Sequence, residues 1–207
     1  MDSKTGNALI VFLKYPVPGR VKTRLADEIG TEKAAAIYKK MAEEVVTNTT
    51  GRGKYTSLIF YDPPEAEHHI KRWLSYAHNR YLPQTGADLG ERMKNAFEKT
   101  FALGFKNNII IGTDCPGITT GLLGSAFESL SAHDAVIGPA NDGGYYLLGL
   151  RRAQPELLTG LDWSTNRVFE QTVEKMRKSG LTWHELETLP DIDTHEDLLK
   201  LRPDLLG

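Results

Sequence analysis

The chain has 207 residues and a formal charge of −2, from 25 Lys+Arg against 27 Asp+Glu, with 40% apolar residues. That balance lacks the basic excess of a nucleic-acid-binding domain, and no apolar run approaches the roughly 18 residues of a membrane span. One cysteine, Cys115, excludes an intramolecular disulfide, so a cytoplasmic globular protein of one domain over residues 1–207 is expected.

Residues 8–13, Ala-Leu-Ile-Val-Phe-Leu, form a continuous apolar run. It predicts a strand buried on both faces and is too short for a signal-peptide core. A loop rich in Pro, Gly and cations follows. The next element is a helix over 31–46, in which Ala34, Ile37, Tyr38, Met41 and Val45 recur at helical spacing. Residues 47–54, with Gly51 and Gly53, read as a turn. Residues 55–61 read as a strand stopped by Asp62-Pro63-Pro64, and 65–76 as a short helix. A helix over 88–103 is closed by Gly104. The three isoleucines of 108–112 mark a central strand. A helix over 121–131 and strands over 135–139 and 145–150 come next. A helix over 167–179, closed by Gly180, a strand over 182–189 and a helix over 196–201 complete the chain.

Strands alternating with helices predict an α/β sheet covered on both faces. Ligands of such sheets lie beyond the carboxyl ends of the strands. The loops after Leu13, Gly112 and Pro139 are therefore where a site should form.

After the first strand, Lys14, Arg20, Lys22 and Arg24 place four cations within eleven residues. Pro16 and Pro18 stiffen the loop, and Gly19 allows close backbone approach to a bound group. Such a loop can neutralise a di- or triphosphate, with arginine supplying a bidentate fork. The competing reading is a solvated surface loop. Neither G-x-x-x-x-G-K-[ST] nor G-x-G-x-x-G is present, which disfavours a P-loop NTPase and a dinucleotide oxidoreductase.

The later loops are acidic. Asp114 follows the isoleucine strand, where a carboxylate can hold Mg²⁺ together with substrate phosphate oxygens; an Asx turn is the structural alternative. Asn141-Asp142-Gly143-Gly144 would make a tight turn, yet Asp142 could also ligate metal or accept an acceptor's proton. Asp191-Ile192-Asp193-Thr194 adds carboxylates near the end. Thr194 and Asp197 match a capping box, leaving Asp193 the freer residue. Cys115 reads as a small buried apolar residue. A thiol nucleophile there would need a base from His133, His184 or His195.

Four segments occur together in order: Lys14-x-Pro16-x-Pro18-Gly19-x-x-Lys22-Thr23-Arg24-Leu25, Gly112-Thr113-Asp114-Cys115-Pro116, Gly138-Pro139-x-x-Asp142-Gly143-Gly144-Tyr145 and Asp191-x-Asp193-Thr194. In this the chain resembles the bacterial "transferase 1" family of radical-SAM/selenodomain-associated glycosyltransferase-like proteins. That family belongs to the nucleotide-diphospho-sugar transferase superfamily, with the GT-A fold. The resemblance covers about residues 8–201. It implies a single three-layer α/β/α domain with a mostly parallel, twisted sheet of about seven strands, one of them reversed.

The same resemblance implies roles. Gly19, Lys22 and Arg24 would contact the nucleotide phosphates, with Lys14 of the same cationic loop a further candidate. Gln84, Gly86 and Leu89 would contact base and ribose, while Asp88 and Glu91 also fit a helix cap. Asp114 corresponds to the metal ligand of a DxD motif, here without its second aspartate, and Asp193 to a late aspartate completing the metal site. Mg²⁺ or Mn²⁺ is the implied cofactor; Lys22 and Arg24, by stabilising phosphate charge, and Asp142, by orienting or deprotonating the acceptor, are the candidate catalytic residues.

The expected activity is a glycosyltransferase-like one: a small-molecule nucleotide-sugar donor, a divalent metal and an unknown acceptor. The alternative is a nucleotidyltransferase of the phospholactate guanylyltransferase or molybdopterin guanylyltransferase type, releasing pyrophosphate. From another class, a non-catalytic nucleotide-binding regulatory module would need the cationic loop but not Asp114. Homodimerisation is left open.

Overall fold

A computed structural model describes residues 6–51, 54–75 and 80–206. Gly53 and Tyr76, which the sequence assigns to a turn and a helix end, lie outside them. Seven strands are present: β1 (Asn7–Lys14), β2 (Thr56–Asp62), β3 (Arg80–Pro83), β4 (Asn107–Ile111), β5 (Ala135–Pro139), β6 (Tyr145–Leu150) and β7 (Trp183–Glu185). The helices are α1 (Thr23–Ile29), α2 (Thr31–Thr49), α3 (Glu67–Trp73), α4 (Leu89–Ala102), α5 (Thr120–Ser129), α6 (Val168–Lys178) and α7 (His195–Leu201).

The strands form one sheet in the order β3-β2-β1-β4-β6-β5-β7. β6 runs antiparallel to both its neighbours, β4 and β5, and the other pairings are parallel. This is the mostly parallel sheet with one reversed strand that the motifs imply.

The position of β1 follows from its side chains. Residues alternate between faces along a strand, and in β1 both sets are apolar. Leu9, Val11 and Leu13 pack with residues of α2, α3 and α5. Ala8, Ile10 and Phe12 pack with residues of α4 and α6. Each large side chain contributes about 1.5–3 kcal/mol on burial, so β1 has no face it can yield to water and belongs at the centre. The layers are therefore helix, sheet, helix. A smaller cluster joins Leu25 of α1, Ala34, Ile37 and Met41 of α2, and Ile192, Leu198 and Leu205. It ties the loop after β1 to the segment near the end of the chain.

Three elements differ from the sequence reading. β3 has four residues, with its ends exposed and Pro83 at its last position. It is an edge strand without the apolar alternation that marks an internal one. α1 lies inside the cationic stretch, where one buried residue, Leu25, gives no helical period. The strand expected over 182–189 is regular only at Trp183–Glu185, with a further single bridge between Ala140 and Leu189. Among the described residues, no helix is long and apolar enough to cross a membrane.

Candidate active site

The loop after β1 is anchored before it reaches any ligand. Arg20 N donates to Val17 O at 3.0 Å, and Gly19 between them has φ +76°. Proline followed by a left-handed glycine is the pattern of a type II turn. Val21 is buried against Ala35, Tyr38 and Ala42. Lys22 then adopts φ 48°, ψ 50° at the N-cap of α1. A left-handed conformation costs a residue with a Cβ about 1–2 kcal/mol, so its surroundings must impose it.

Those surroundings are acidic. The Lys22 side chain is 5% exposed, and Nζ lies 2.6 Å from Asp114 Oδ1 and 4.0 Å from Asp193 Oδ1. The ammonium also donates to the carbonyl of Ile192. Arg24 Nη1 meets Asp193 Oδ2 at 3.2 Å. The loop after β4 is tied in by Ile192 N donating to Asp114 O at 3.0 Å. Lys22, Arg24, Asp114 and Asp193, predicted from three separate motifs, thus meet directly at the carboxyl ends of β1 and β4.

Asp114 is held asymmetrically. Its side chain is 50% exposed, yet Oδ1 is enclosed and takes no directed hydrogen bond. Oδ1 faces the ammonium as an ion pair, which leaves Oδ2 as the open oxygen. This is a hard-oxygen donor set of the kind Mg²⁺ and Mn²⁺ accept, with one or two carboxylates and substrate oxygens completing the shell. Among the described residues no three His, Cys, Asp or Glu side chains converge to form a ready-made cage. Asp114 and Asp193 nonetheless supply carboxylate oxygens that fit such an ion.

Asp142 sits on the β5–β6 turn, where Oδ1 accepts from Gly144 N at 2.8 Å. Its charge is felt by Asp191, whose carboxyl is pushed above the usual range by burial and then by Asp142. The sequence places Asp191 in the same motif as Asp193 but assigns it no role of its own. Burial also pushes the Cys115 thiol far above its usual range, with Asp191 and Asp114 adding to the effect. A neutral, buried thiol is a poor nucleophile, which counts against the thiol-enzyme reading.

The remaining predicted residues line the ends of β1 to β3. Gln84 is 6% exposed. Its amide nitrogen donates to Leu13 O at 3.2 Å and Phe60 O at 2.9 Å, clamping the ends of β1 and β2. Gly86 has φ +140°, and a Cβ there would lie 2.7 Å from Arg92 N. Asp88 caps α4 by accepting from Glu91 N, and Glu91 in turn accepts from Ala87 N, each at 2.8 Å. Arg92 donates to Gly86 O and pairs with Asp62 at 3.2 Å. The 84–88 loop is exposed between its ends but braced by the buried Gln84 and by side chains of α4. Leu89, at its end, is a large apolar residue left exposed. Lys14 is exposed and, among the described residues, has no carboxylate at ion-pair distance.

The helical period of α2 marks Tyr38 as a core position, and its hydroxyl carries more. It accepts from Lys14 N at 2.8 Å, and Thr113 Oγ1 donates to it at 3.4 Å. Burial keeps the phenol protonated. It bridges the loops after β1 and β4 from beneath. Tyr38→Phe should therefore lower unfolding free energy by about 1–3 kcal/mol, the cost of leaving a buried donor unpaired. Denaturant titration measures it, and a change below about 0.5 kcal/mol would remove the bridge. A cavity of about 180 Å³ also lies behind Thr113, between α2 and the Pro116–Ile118 segment, where Arg202 is paired with Glu44.

The family described as "Uncharacterized protein conserved in bacteria (DUF2064)" matches residues 45–165. The chain belongs to this family. The matched segment includes Gln84, Gly86, Leu89, Asp114 and Asp142; the cationic loop and Asp193 lie outside it. A protein from Desulfovibrio desulfuricans G20, provisionally described as a nucleotide-diphospho-sugar transferase, is 36% identical, with a TM-score of 0.90 over 96% of this chain and 87% of that one. Two more distant structures share the fold. CMP:2-keto-3-deoxy-manno-octonic acid synthetase complexed with CTP is 14% identical, with a TM-score of 0.56 over 99% of each chain. Glucosyl-3-phosphoglycerate synthase from Mycobacterium tuberculosis, in complex with Mn²⁺, UDP and glucosyl-3-phosphoglycerate, is 11% identical, with a TM-score of 0.56 over 94% of this chain and 74% of that one. No curated protein matches the chain. The family and the fold agree with the superfamily that the motifs imply.

Proposed function

We propose that this protein is a nucleotide-dependent transferase, using a nucleotide-sugar with a divalent metal. The observation that carries this reading is the junction of Lys22 and Arg24 with Asp114 and Asp193, which brings cationic and acidic loops together at the carboxyl ends of the central strands. The 36%-identical relative, provisionally described as such a transferase, supports it.

In this reading the phosphates lie against Gly19 and Lys14, and the base and ribose rest on the braced 84–89 segment. Lys22 and Arg24 orient the Asp114 and Asp193 carboxylates and offset charge developing on the leaving phosphate. Asp114 and Asp193 would hold Mg²⁺ or Mn²⁺, which when bound supplies charge neutralisation on the phosphate oxygens. Asp142, positioned by its bond to Gly144 N, orients or deprotonates the acceptor hydroxyl.

A second reading, nucleotidyl transfer with release of pyrophosphate, is favoured by the Lys22-Thr23-Arg24-Leu25 run. The two are separated by product: a nucleoside diphosphate from a nucleotide-sugar, or pyrophosphate from a triphosphate. A thermal-shift screen of nucleotides and nucleotide-sugars, with and without Mn²⁺, is the first test. A ligand at a hundred times its Kd stabilises by about 2.7 kcal/mol, so the donor should raise Tm by several degrees. No shift with any nucleotide would overturn the proposal.

A further inference from the structure

We propose that Lys22 is the resident cation of the acidic pocket, so that a divalent metal enters only together with a nucleotide. The inference rests on the nucleotide-transferase reading and concerns how that same site is filled.

Three observations carry it. The first is enclosure. Lys22 has nearly lost contact with solvent, and its ammonium is held between Asp114 Oδ1, Asp193 Oδ1 and the Ile192 carbonyl. Charges taken out of water are tolerated only when compensated this closely. The second is the enclosed Asp114 Oδ1, whose close neighbour is the ammonium at 2.6 Å. The positive charge that a metal ion would bring to this oxygen is thereby already supplied by Lys22. The third is the local sequence. Lys22 stands at the N-cap of α1, where short acceptor side chains are favoured, makes no capping bond and takes a left-handed backbone conformation. Both local preferences are given up to send the ammonium inward.

Charge balance then sets the order of entry. At ion-pair distance, the two carboxylates of Asp114 and Asp193 face the two cations Lys22 and Arg24, while Asp142 and Asp191 act on the pocket without an ion-pair contact to either cation. A divalent cation arriving alone would find the carboxylates already compensated and no third acidic ligand converging on them among the described residues. A nucleotide diphosphate brings both the missing oxygen ligands and an anion that can draw the ammonium toward itself.

The test uses Mn²⁺ alone, followed by electron paramagnetic resonance of the free ion. Wild-type protein should leave the free Mn²⁺ signal unchanged. Lys22→Met, close in shape and uncharged, should take up one Mn²⁺ per chain at least about tenfold more tightly, and Lys22→Met combined with Asp114→Asn should lose that uptake. Equal uptake by wild type and Lys22→Met, or none by Lys22→Met, overturns the inference. If Lys22→Met does not fold, the buried lysine ammonium resonance of the wild type is followed by nuclear magnetic resonance. Mg²⁺ alone should leave it in place, whereas Mg²⁺ with inorganic pyrophosphate should shift it; a shift with Mg²⁺ alone overturns the inference. The Mn²⁺ arms use no nucleotide, so they remain readable whichever way the nucleotide screen falls.

Discussion

Asp114→Asn should lower turnover by at least about 10²–10³ while the ligand-free protein keeps its fold. The substitution preserves size and the backbone carbonyl that accepts from Ile192 N, so the join between the β4 and 191–193 loops survives. The charge is what is lost. Without it Lys22 keeps only Ile192 O and the more distant Asp193 as partners, and the open oxygen facing the nucleotide becomes a neutral amide group. With Asp114 half exposed but Lys22 enclosed, losing the ion pair should cost more than the ~1 kcal/mol of a surface pair and less than the ~3–5 kcal/mol of a fully buried one. Activity should therefore fall in a protein that still folds, with a lowered Tm. Turnover at saturating donor, measured beside thermal melts, separates the two. Full activity in Asp114→Asn would remove the acidic pocket from the chemistry. Unchanged nucleotide binding by a wild type that turns nothing over would favour the regulatory-module reading.

The fold was legible where burial is two-sided and periodic. The 8–13 run could only be an internal strand, and the apolar spacing of 31–46 marked α2 because its buried positions carry the period themselves. α1 and β3 were not legible. Each buries too little of its own surface to leave a pattern, and each is placed by its neighbours: α1 by Leu25 in the cluster with Ile37 and Ile192, β3 by pairing with β2.

Within the site, the residue types could be read but not their pairing. Lys22 and Ile192 lie 170 positions apart, and no spacing rule shows that Lys22 turns inward to a carboxylate while Arg24 pairs with one from an exposed position. The same holds for Tyr38, whose period marks it as core while its hydroxyl does the bridging, and for Gln84, whose buried amide is engaged with two strand ends. A polar atom on an otherwise apolar or base-contacting pattern gives no sign in sequence of which backbone it satisfies. Under the proposed function the divided loop has a consequence: Lys22 and Arg24 would set the carboxylates, so direct contact with incoming phosphate would fall first to the exposed Lys14 and the backbone beside Gly19.

Gly143→Ala should cost about 3–5 kcal/mol or prevent folding, a large effect for one methyl group. Two costs add. Gly143 has φ +83°, where alanine is strained by about 1–2 kcal/mol. Its Cβ would also lie 2.2 Å from Asn166 O and 2.6 Å from Asn166 Cα. Both contacts are backbone, so no side-chain rotation relieves them, and one segment must move. Gly143 O also accepts from Phe169 N at the start of α6, and Gly143 N donates to Ala140 O. Displacing either segment breaks one of these bonds and carries Asp142 away with the turn. The control is Gly160→Ala, where φ is +62° and no atom lies within 4 Å of the added Cβ. That variant should show the backbone strain alone. Denaturant titration of both isolates the contact with Asn166, and equal losses would refute the close approach. A clear excess at Gly143 would mean that Asn141-Asp142-Gly143-Gly144, which reads as an ordinary turn, is fixed by packing against the 166–169 segment, and that Asp142 is held in place from outside its own loop.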